Sequence, residues 1–371
     1  MTEKYAAWVW LAEALGYCAQ NAGTVLELYV TPENVQNALD TQDVSMHFTP
    51  AQLEKLRTTK PADYLPLLQR CKELGVQMVS FAEMAYPYLL RTIPNPPPVL
   101  YYKGDLTVTD AFLTLGVVGT RRPSAYGVQA TGVISKGLAE AGVVLVSGLA
   151  TGLDSEAHKA ALAMGTPTVA CIAFGHDLCY PAAHRKLKEC IEHTGLVLGE
   201  YPPGTEVQKP FFLQRNRLIA GLSQGLCVAE ARRASGTMNT VASALSYNRD
   251  VFAVPGSIFS PLSEGTNRLL AEGAYPATCA ADILQHYEVE LHALAQTVQT
   301  QPAPGQSDAT MPPISENAAL LRSFLSYTPL TLPQLCTASG LSSGAAMAAL
   351  TELELSGLAV QQAGRRFIIN E

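Results

Sequence analysis

The residues able to do chemistry are spread over several loops rather than held in one motif. "VVGTRRPSAYG" (117–127) couples a tight-turn glycine, Gly119, to Arg121 and Arg122. Such a turn at a helix start offers Thr120 and the following amides to an anion, and the arginines add charge. "SGLATGLD" (147–154) sets Ser147 and Gly148 at the end of an apolar run and Gly152 and Asp154 at the start of the next segment. "AEARRASGTMNT" (229–240) brings Arg232, Arg233 and a Ser235-Gly236-Thr237 helix start. "QKPFFLQRNRLIAGLS" (208–223) adds Lys209, Arg215 and Arg217 around Asn216, preceded by Phe211 and Phe212. Basic groups beside an aromatic face are the usual chemistry for single-stranded nucleic acid. The same residues also suit a bland assignment, with the phenylalanines in a core and the arginines on a solvated helix face. A small phosphorylated ligand is a further alternative, since doubly wound sheets bind many of these. The chain has no GxGxxG and no GxxxxGK[ST], which argues against a dinucleotide fingerprint and a P-loop.

These loops need a scaffold that brings them to one edge. From Ala111 onward, short apolar runs ("FLTLGVVG", "VVLVSG", "TVACIAFG", "LVLGE", "GLCVAE", "DVFAVPG") alternate with helix-like stretches such as "YGVQATGVISKGLAEAG" and "TMNTVASALSYN". Strict alternation predicts an α/β fold, a Rossmann-like parallel sheet with helices on both faces. Ligands of such sheets sit outside the carboxyl ends of the strands, where the loops above lie. Residues 1–85 read as short helices, with Thr31-Pro32 as a helix start. "YPYLLRTIPNPPPVLYYKGD" reads as an extended bridge into the sheet domain, which spans 86–290. Residues 291–315 form a polar Pro/Gln/Thr/Ser linker, and 316–371 read as helix, helix-turn-helix and hairpin, a winged-helix pattern.

The 371-residue chain is 48% hydrophobic and carries a net charge of −7, so it can bury a sizeable core but cannot coat nucleic acid indiscriminately. Basic and acidic residues nearly balance in the middle of the chain, while the C-terminal part is acidic, so an anion site belongs in the middle. The second helix of the winged unit, "SSGAAMAALTELEL", has no Lys or Arg, which favours a protein-contact or regulatory role over reading a DNA groove. No run is long enough to span a bilayer and the N-terminus has no signal-peptide pattern, so the expected location is cytoplasmic, away from membranes. The cysteines form no CxxC pair and read as buried hydrophobes. Cys171, His176, Cys179, His184, Cys190 and His193 crowd one stretch, but their spacing fits no paired-ligand pattern; neither metal nor cofactor is expected. Asp154 and His158, one turn apart, suggest an acid–base pair or, more simply, a helix-stabilising contact.

Taken together, the loops resemble the DNA-processing protein A (DprA/Smf) family. "VVGTRRPSAYG", "SGLATGLDSEAHKAAL" (147–162), "AFGHDLCYPAAHRKL" (173–187), "GEYPPGT" (199–205), "KPFFLQRNRLIAGLS" (209–223), "SGTMNTVASALSYNRDVFAVPG" (235–256) and "EGTNRLLAEGA" (264–274) occur in the family's order and cover most of the middle domain. The resemblance implies an N-terminal helical SAM-like domain and a C-terminal winged helix around the sheet. It implies binding and protection of single-stranded DNA without sequence preference, loading of the RecA recombinase in natural transformation and recombination, and a homodimer formed through the Rossmann-like domain. It implies no catalysis. Carried onto this chain, Arg121 and Lys209 would hold phosphates, Phe211 or Phe212 would stack on a base, and Arg215 and Arg217 would line the pocket with Asn216 placing them. Gly119, Arg122, Ser147, Gly148, Ser235, Gly236 and Thr237 complete the expected site; Asp154 and Asn267 would brace loops. Thr151 stands where the family typically has Arg, which removes a charge from the groove. The rival enzyme class, a nucleotide- or phosphate-binding Rossmann enzyme of the N-glycosidic hydrolase type, carries "PGGxGTxxE" where this chain has "RASGTMNTVAS", without the carboxylate.

Overall fold

A computed structural model describes residues 3–41, 43–109, 113–287, 315–325, 330–356, 358–362 and 366–369. These form two compact units, one within Met1–Thr297 and one within Val298–Glu371. The expected linker, 291–315, lies outside the described residues apart from Ser315.

The first unit opens with helices α1 (Glu3–Leu15), α2 (Ala22–Tyr29), α3 (Pro32–Thr41), α4 (Pro50–Thr58) and α5 (Leu65–Glu73). Helix α1 is the hub. Trp8, Val9, Trp10 and Leu11 are all essentially inaccessible to solvent, so it is apolar on every side and the other helices wrap it. Helix α4 starts with a capping box, in which Thr49 and Gln52 exchange side-chain and backbone hydrogen bonds.

A nine-stranded sheet follows, in the order β1-β2-β6-β5-β4-β3-β7-β8-β9. Its strands are β1 (Gln77–Ser80), β2 (Val99–Gly104), β3 (Thr114–Val118), β4 (Val144–Ser147), β5 (Thr168–Ile172), β6 (Leu196–Gly199), β7 (Gly225–Val228), β8 (Asp250–Ala253) and β9 (Tyr275–Pro276). Strands β3 to β9 pair in parallel, as the alternation predicts. Strands β1 and β2 differ from the expectation of a purely helical segment and an extended bridge. Strand β2 adds antiparallel to β6 and β1 antiparallel to β2, and Met78, Val99 and Tyr101 belong to the core of the N-terminal helices. The helical segment and the sheet are therefore welded by a shared strand pair.

Side chains alternate between two core layers. Val144 and Val146 of β4 and Leu226 and Val228 of β7 face one layer; Leu145 and Cys227 face the other. Helices α6 (Tyr88–Arg91), α7 (Ala125–Glu140), α8 (Leu153–Ala163), α9 (Arg185–Thr194), α10 (Lys209–Gly221), α11 (Gly236–Ser246), α12 (Glu264–Ala271) and α13 (Ala280–His286) complete this unit. Strand order reverses between β3 and β7, so a crevice opens at their carboxyl ends.

The second unit contains α14 (Glu316–Phe324), α15 (Leu332–Ser339), α16 (Ser343–Leu355) and a three-stranded sheet ordered β10 (Leu330–Thr331), β12 (Arg366–Ile369), β11 (Ala359–Gln362). Leu321, Leu335, Leu350, Leu353 and Phe367 fill its core. On α16, the Glu352 carboxylate accepts hydrogen bonds from the Ser315 amide and hydroxyl, at 2.7 and 2.6 Å, and so fastens the start of α14.

Candidate nucleic-acid interface

The crevice holds a cleft of about 580 Å³ lined by the loop after β3, the loop before α8, the start of α10 and the start of α11. Of the expected residues, Gly119, Arg121, Lys209, Phe212, Arg215, Asn216, Ser235, Gly236 and Thr237 line it. Tyr180, Val207, Leu213 and Thr240 join them without having been singled out in the sequence. Tyr180 had a signal: it is an aromatic in the loop after β5, at the edge where ligands of such sheets bind.

The two helix starts at this edge differ in what they offer. Several groups of the glycine loop after β3 are spent on the protein itself. The Thr120 amide donates to Glu230 O at 2.8 Å, and the Arg122 amide donates to Thr120 Oγ1 at 3.2 Å. Ser124 caps α7 by accepting from the Gly127 amide, and its own amide and hydroxyl donate to the Glu230 carboxylate at 3.0 and 2.6 Å. Glu230 thus supplies the negative charge at that helix start. Gly127 is required there, because a Cβ would lie 2.2 Å from Glu230 Oε2. Of the amides expected to face an anion, those of Thr120 and Arg122 are taken; the loop brings the exposed side chain of Arg121 to the cleft, while Arg122 is exposed outside it.

The start of α11 is open. Ser235 is its N-cap, yet makes no side-chain cap bond, and its buried Oγ has no partner among the described residues. Helix geometry leaves the first amides, on Gly236 and Thr237, without intrahelical acceptors, and the macrodipole favours an anion there. Asn216 Nδ2 donates to Gly236 O at 3.3 Å and ties α10 to this start.

The α10 side chains part company. Phe212 faces the cleft; its ring lies 5.4 Å from that of Tyr180 and 5.2 Å from the Arg121 guanidinium carbon, a cation–π distance. Phe211 turns the other way and stacks on Tyr201 at 4.5 Å, with Tyr17 of the N-terminal segment edge-on at 6.0 Å. Of the two phenylalanines left open by the sequence, Phe212 is the one that lines the cleft. Arg215 is 2% exposed and lies beneath the cleft floor. Its Nη1 donates to Gly148 O at 2.6 Å and to Cys171 O, which binds α10 to the ends of β4 and β5. Asp154 accepts from the Gly148 amide at 3.2 Å, and a Cβ at Gly148 would come within 2.5 Å of Arg215 Nη2. Burial raises the Asp154 carboxyl, with the Arg215 charge acting against it. Ser147 spends its hydroxyl on Val117 O at 2.6 Å. Ser147 and Gly148 are therefore braces and offer the cleft nothing, contrary to expectation. Arg217 also departs from it: it points away from the cleft and pairs with buried Glu200 at 2.6 Å.

The remaining polar clusters are spent in the fold. His158 turns into the core, not toward Asp154; its Nδ1 donates to Thr168 Oγ1 at 2.8 Å, and burial lowers its pKa to about 3. His176 and His184 donate to the carbonyls of Tyr101 and Leu149. Among the described residues no three His, Cys, Asp or Glu side chains converge as metal ligands.

The loops and their order match the family model for DNA recombination-mediator protein A over residues 77–288, and the DprA winged helix domain over 300–365. The chain belongs to the DNA recombination-mediator protein A family. It is 43% identical over 209 residues to DNA processing protein DprA of Streptococcus pneumoniae, covering 56% of this chain and 73% of that one. The X-ray structure of DNA processing protein A from Streptococcus pneumoniae superposes with a TM-score of 0.65 at 34% identity, covering 77% of this chain and 98% of that one. A Helicobacter pylori DNA processing protein A, solved to describe its single-stranded DNA binding mode, gives 0.53 at 30% identity, with coverages of 58% and 96%. The family assignment fits the Rossmann-like sheet and winged helix described above. Among the described residues no helix is long and apolar enough to cross a membrane.

Proposed function

We propose that the cleft binds single-stranded DNA. A phosphate sits at the open start of α11, with Lys209 and Arg121 beside it, and a base stacks on Phe212 near Tyr180. The observation that carries this reading is the meeting, in one cleft, of an unfilled helix N-terminus, two exposed cations without an ion pair among the described residues, and an aromatic face. Neutral stacking beside phosphate contacts gives affinity without reading sequence. The single-stranded DNA bound by the Helicobacter pylori relative supports it. Gly119 permits the close packing that shapes the floor, since a Cβ there would lie 2.4 Å from Leu153 Cδ1.

Family membership extends the proposal to loading of RecA onto the bound strand during recombination and natural transformation, by a cytoplasmic homodimer joined through the Rossmann-like domain. The protein acts in this reading as a binding and loading factor, without catalysis or cofactor. The test is a salt-dependent titration of wild type and Arg121→Ala/Lys209→Ala with labelled oligo-dT and with duplex of equal length. The expected result is tighter binding of the single strand, and a double variant with weaker binding and a salt slope shallower by about 1.4, at roughly 0.7 per phosphate contact. Equal binding of strand and duplex by both proteins overturns the reading and redirects the search to nucleotides and small anions. RecA filament nucleation on strand covered by single-strand-binding protein, with sedimentation of the protein alone, tests loading and dimerisation.

A further inference from the structure

A second cleft, of about 250 Å³, lies on the other side of Leu213. Its walls are α10 and α11 on one side and the Cys18–Gln20 and Pro94–Asn95 segments on the other. Gln20, Asn95, Asn239, Ser243 and Ser246 line it, so its surface is made largely of amides and hydroxyls. Arg217 closes it. This residue is 3% exposed; Nη2 pairs with Glu200, while Nε and Nη1 have no acceptor among the described residues. Leaving a buried charged donor unsatisfied is costly, so the geometry calls for an acceptor.

The charge balance limits what that acceptor can be. Glu200 already neutralises Arg217, and no other cation among the described residues lines this cleft. A phosphate would find no net positive charge, whereas a neutral group with carbonyl oxygens would find donors. The volume is below the ~300–1,000 Å³ of pockets for free small molecules and suits a single planar ring. The two clefts also adjoin. Leu213, 51% exposed, lines both, and α10 and α11 form a wall of each. A strand that leaves its phosphate at the start of α11 has only to pass over Leu213 to reach the second cleft.

We infer that the second cleft is a base-binding subsite of the same strand, in which a neighbouring nucleotide lodges its base with an acceptor edge toward Arg217. This rests on the reading of the first cleft as a single-stranded DNA site. Thymine, cytosine and guanine would present a carbonyl oxygen to Arg217 and adenine a ring nitrogen, so the subsite takes any base.

The experiment is a binding series with oligo-dT of increasing length, for wild type, Ser243→Trp and Arg121→Ala/Lys209→Ala. Ser243 is partly exposed on α11, so the tryptophan plugs the cleft without entering a core. Wild type is expected to gain about tenfold in affinity when the strand becomes long enough to span both clefts, the size of one hydrogen bond to a charged donor. Ser243→Trp should match wild type on the shortest strands and miss that gain. A single abasic position in the longer strand should remove the gain from wild type alone. Asn239→Ala, an exposed position beside it, gives a partial loss and serves if the tryptophan variant misfolds. If both variants follow wild type at every length, or the abasic strand binds as the intact one does, the subsite is wrong. If Arg121→Ala/Lys209→Ala binds every length as wild type does, the first cleft is misassigned instead.

Discussion

Helix α10 carries an aromatic and an arginine toward each of two neighbourhoods, and the neighbourhoods treat them differently. Toward the N-terminal helices, Phe211 stacks on Tyr201 and Arg217 pairs with Glu200, so stacking and charge are both consumed within the fold. Toward the cleft, Arg215 is consumed in the same way, by Gly148 and Cys171, but Phe212 keeps a face open and exposed Arg121 and Lys209 have no ion pair among the described residues. The charge of a buried arginine on this helix is thus spent on fastening the fold. The proposed binding charge is carried by exposed side chains at the cleft's rim, where holding a phosphate would not require breaking the fold.

Removing charge on the two sides should separate stability from binding. Arg217→Ala leaves Glu200 buried without its cation, and the expected loss is about 3–5 kcal/mol of folding stability, read as a fall in the urea midpoint. Arg121→Ala/Lys209→Ala removes exposed side chains and should shift stability by no more than about 0.5 kcal/mol per site. Equal losses in the two proteins would erase the distinction drawn between fastening and rim.

Both neighbourhoods also hide a neutral histidine: His158 in the layer below Arg215, and His176 against the Tyr101 carbonyl of β2. Burial holds each near pKa 3 in the folded chain, against about 6.5 when unfolded. Between these values the unfolded chain binds the protons, so the stabilisation is full above pH 6.5 and drains as pH falls toward 3. Each histidine should remove about 1.4 kcal/mol per pH unit well inside that window, or about 2 kcal/mol between pH 7 and 5. The raised carboxyl of Asp154 works in the opposite direction, gaining stability as it protonates in acid. Urea unfolding at pH 7 and 5 checks the sum, and His158→Gln should lose its share of the slope.

The aromatics give a smaller, cleaner contrast. Phe212→Ala should weaken oligo-dT binding by about 1–3 kcal/mol, the value of one base–aromatic stack, with little effect on the urea midpoint. Phe211→Ala should cost up to about 3 kcal/mol of stability and leave the salt slope unchanged. Paired urea melts and titrations decide whether the two neighbours divide these roles.

How much of this was legible follows from length scales. The parallel strands announced themselves because each is a short apolar run closed by a turn, and the sheet rule then placed the loops at one edge. Strands β1 and β2 did not: they are brief, one follows a proline-rich stretch, and they join the sheet through pairing that local sequence cannot display. Within α10 the residue types were legible but their directions were not. The helix is packed on several sides, so no single polar face marks which of Phe211 and Phe212, or of Arg215 and Arg217, meets the cleft. Glu230 was hidden for a related reason: an internal carboxylate filling a helix start looks, in sequence, like any acid in a loop.

The smallest expected effect probes where the charged rim ends. Thr151 is exposed on the loop before α8, and the adjoining Gly152 packs against the Arg121 backbone, where a Cβ would lie 2.8 Å from the Arg121 carbonyl carbon. Thr151→Arg places a new cation beside Arg121 without entering a core. If the strand runs past this loop, the variant should bind oligo-dT a few-fold more tightly at low salt, with a slope steeper by about 0.7. The gain should vanish at high salt, because the added charge is solvated and screened. An unchanged slope means that the strand leaves the cleft on the Lys209 side, so that Arg121 marks the boundary of the charged rim and the path continues along α10 and α11.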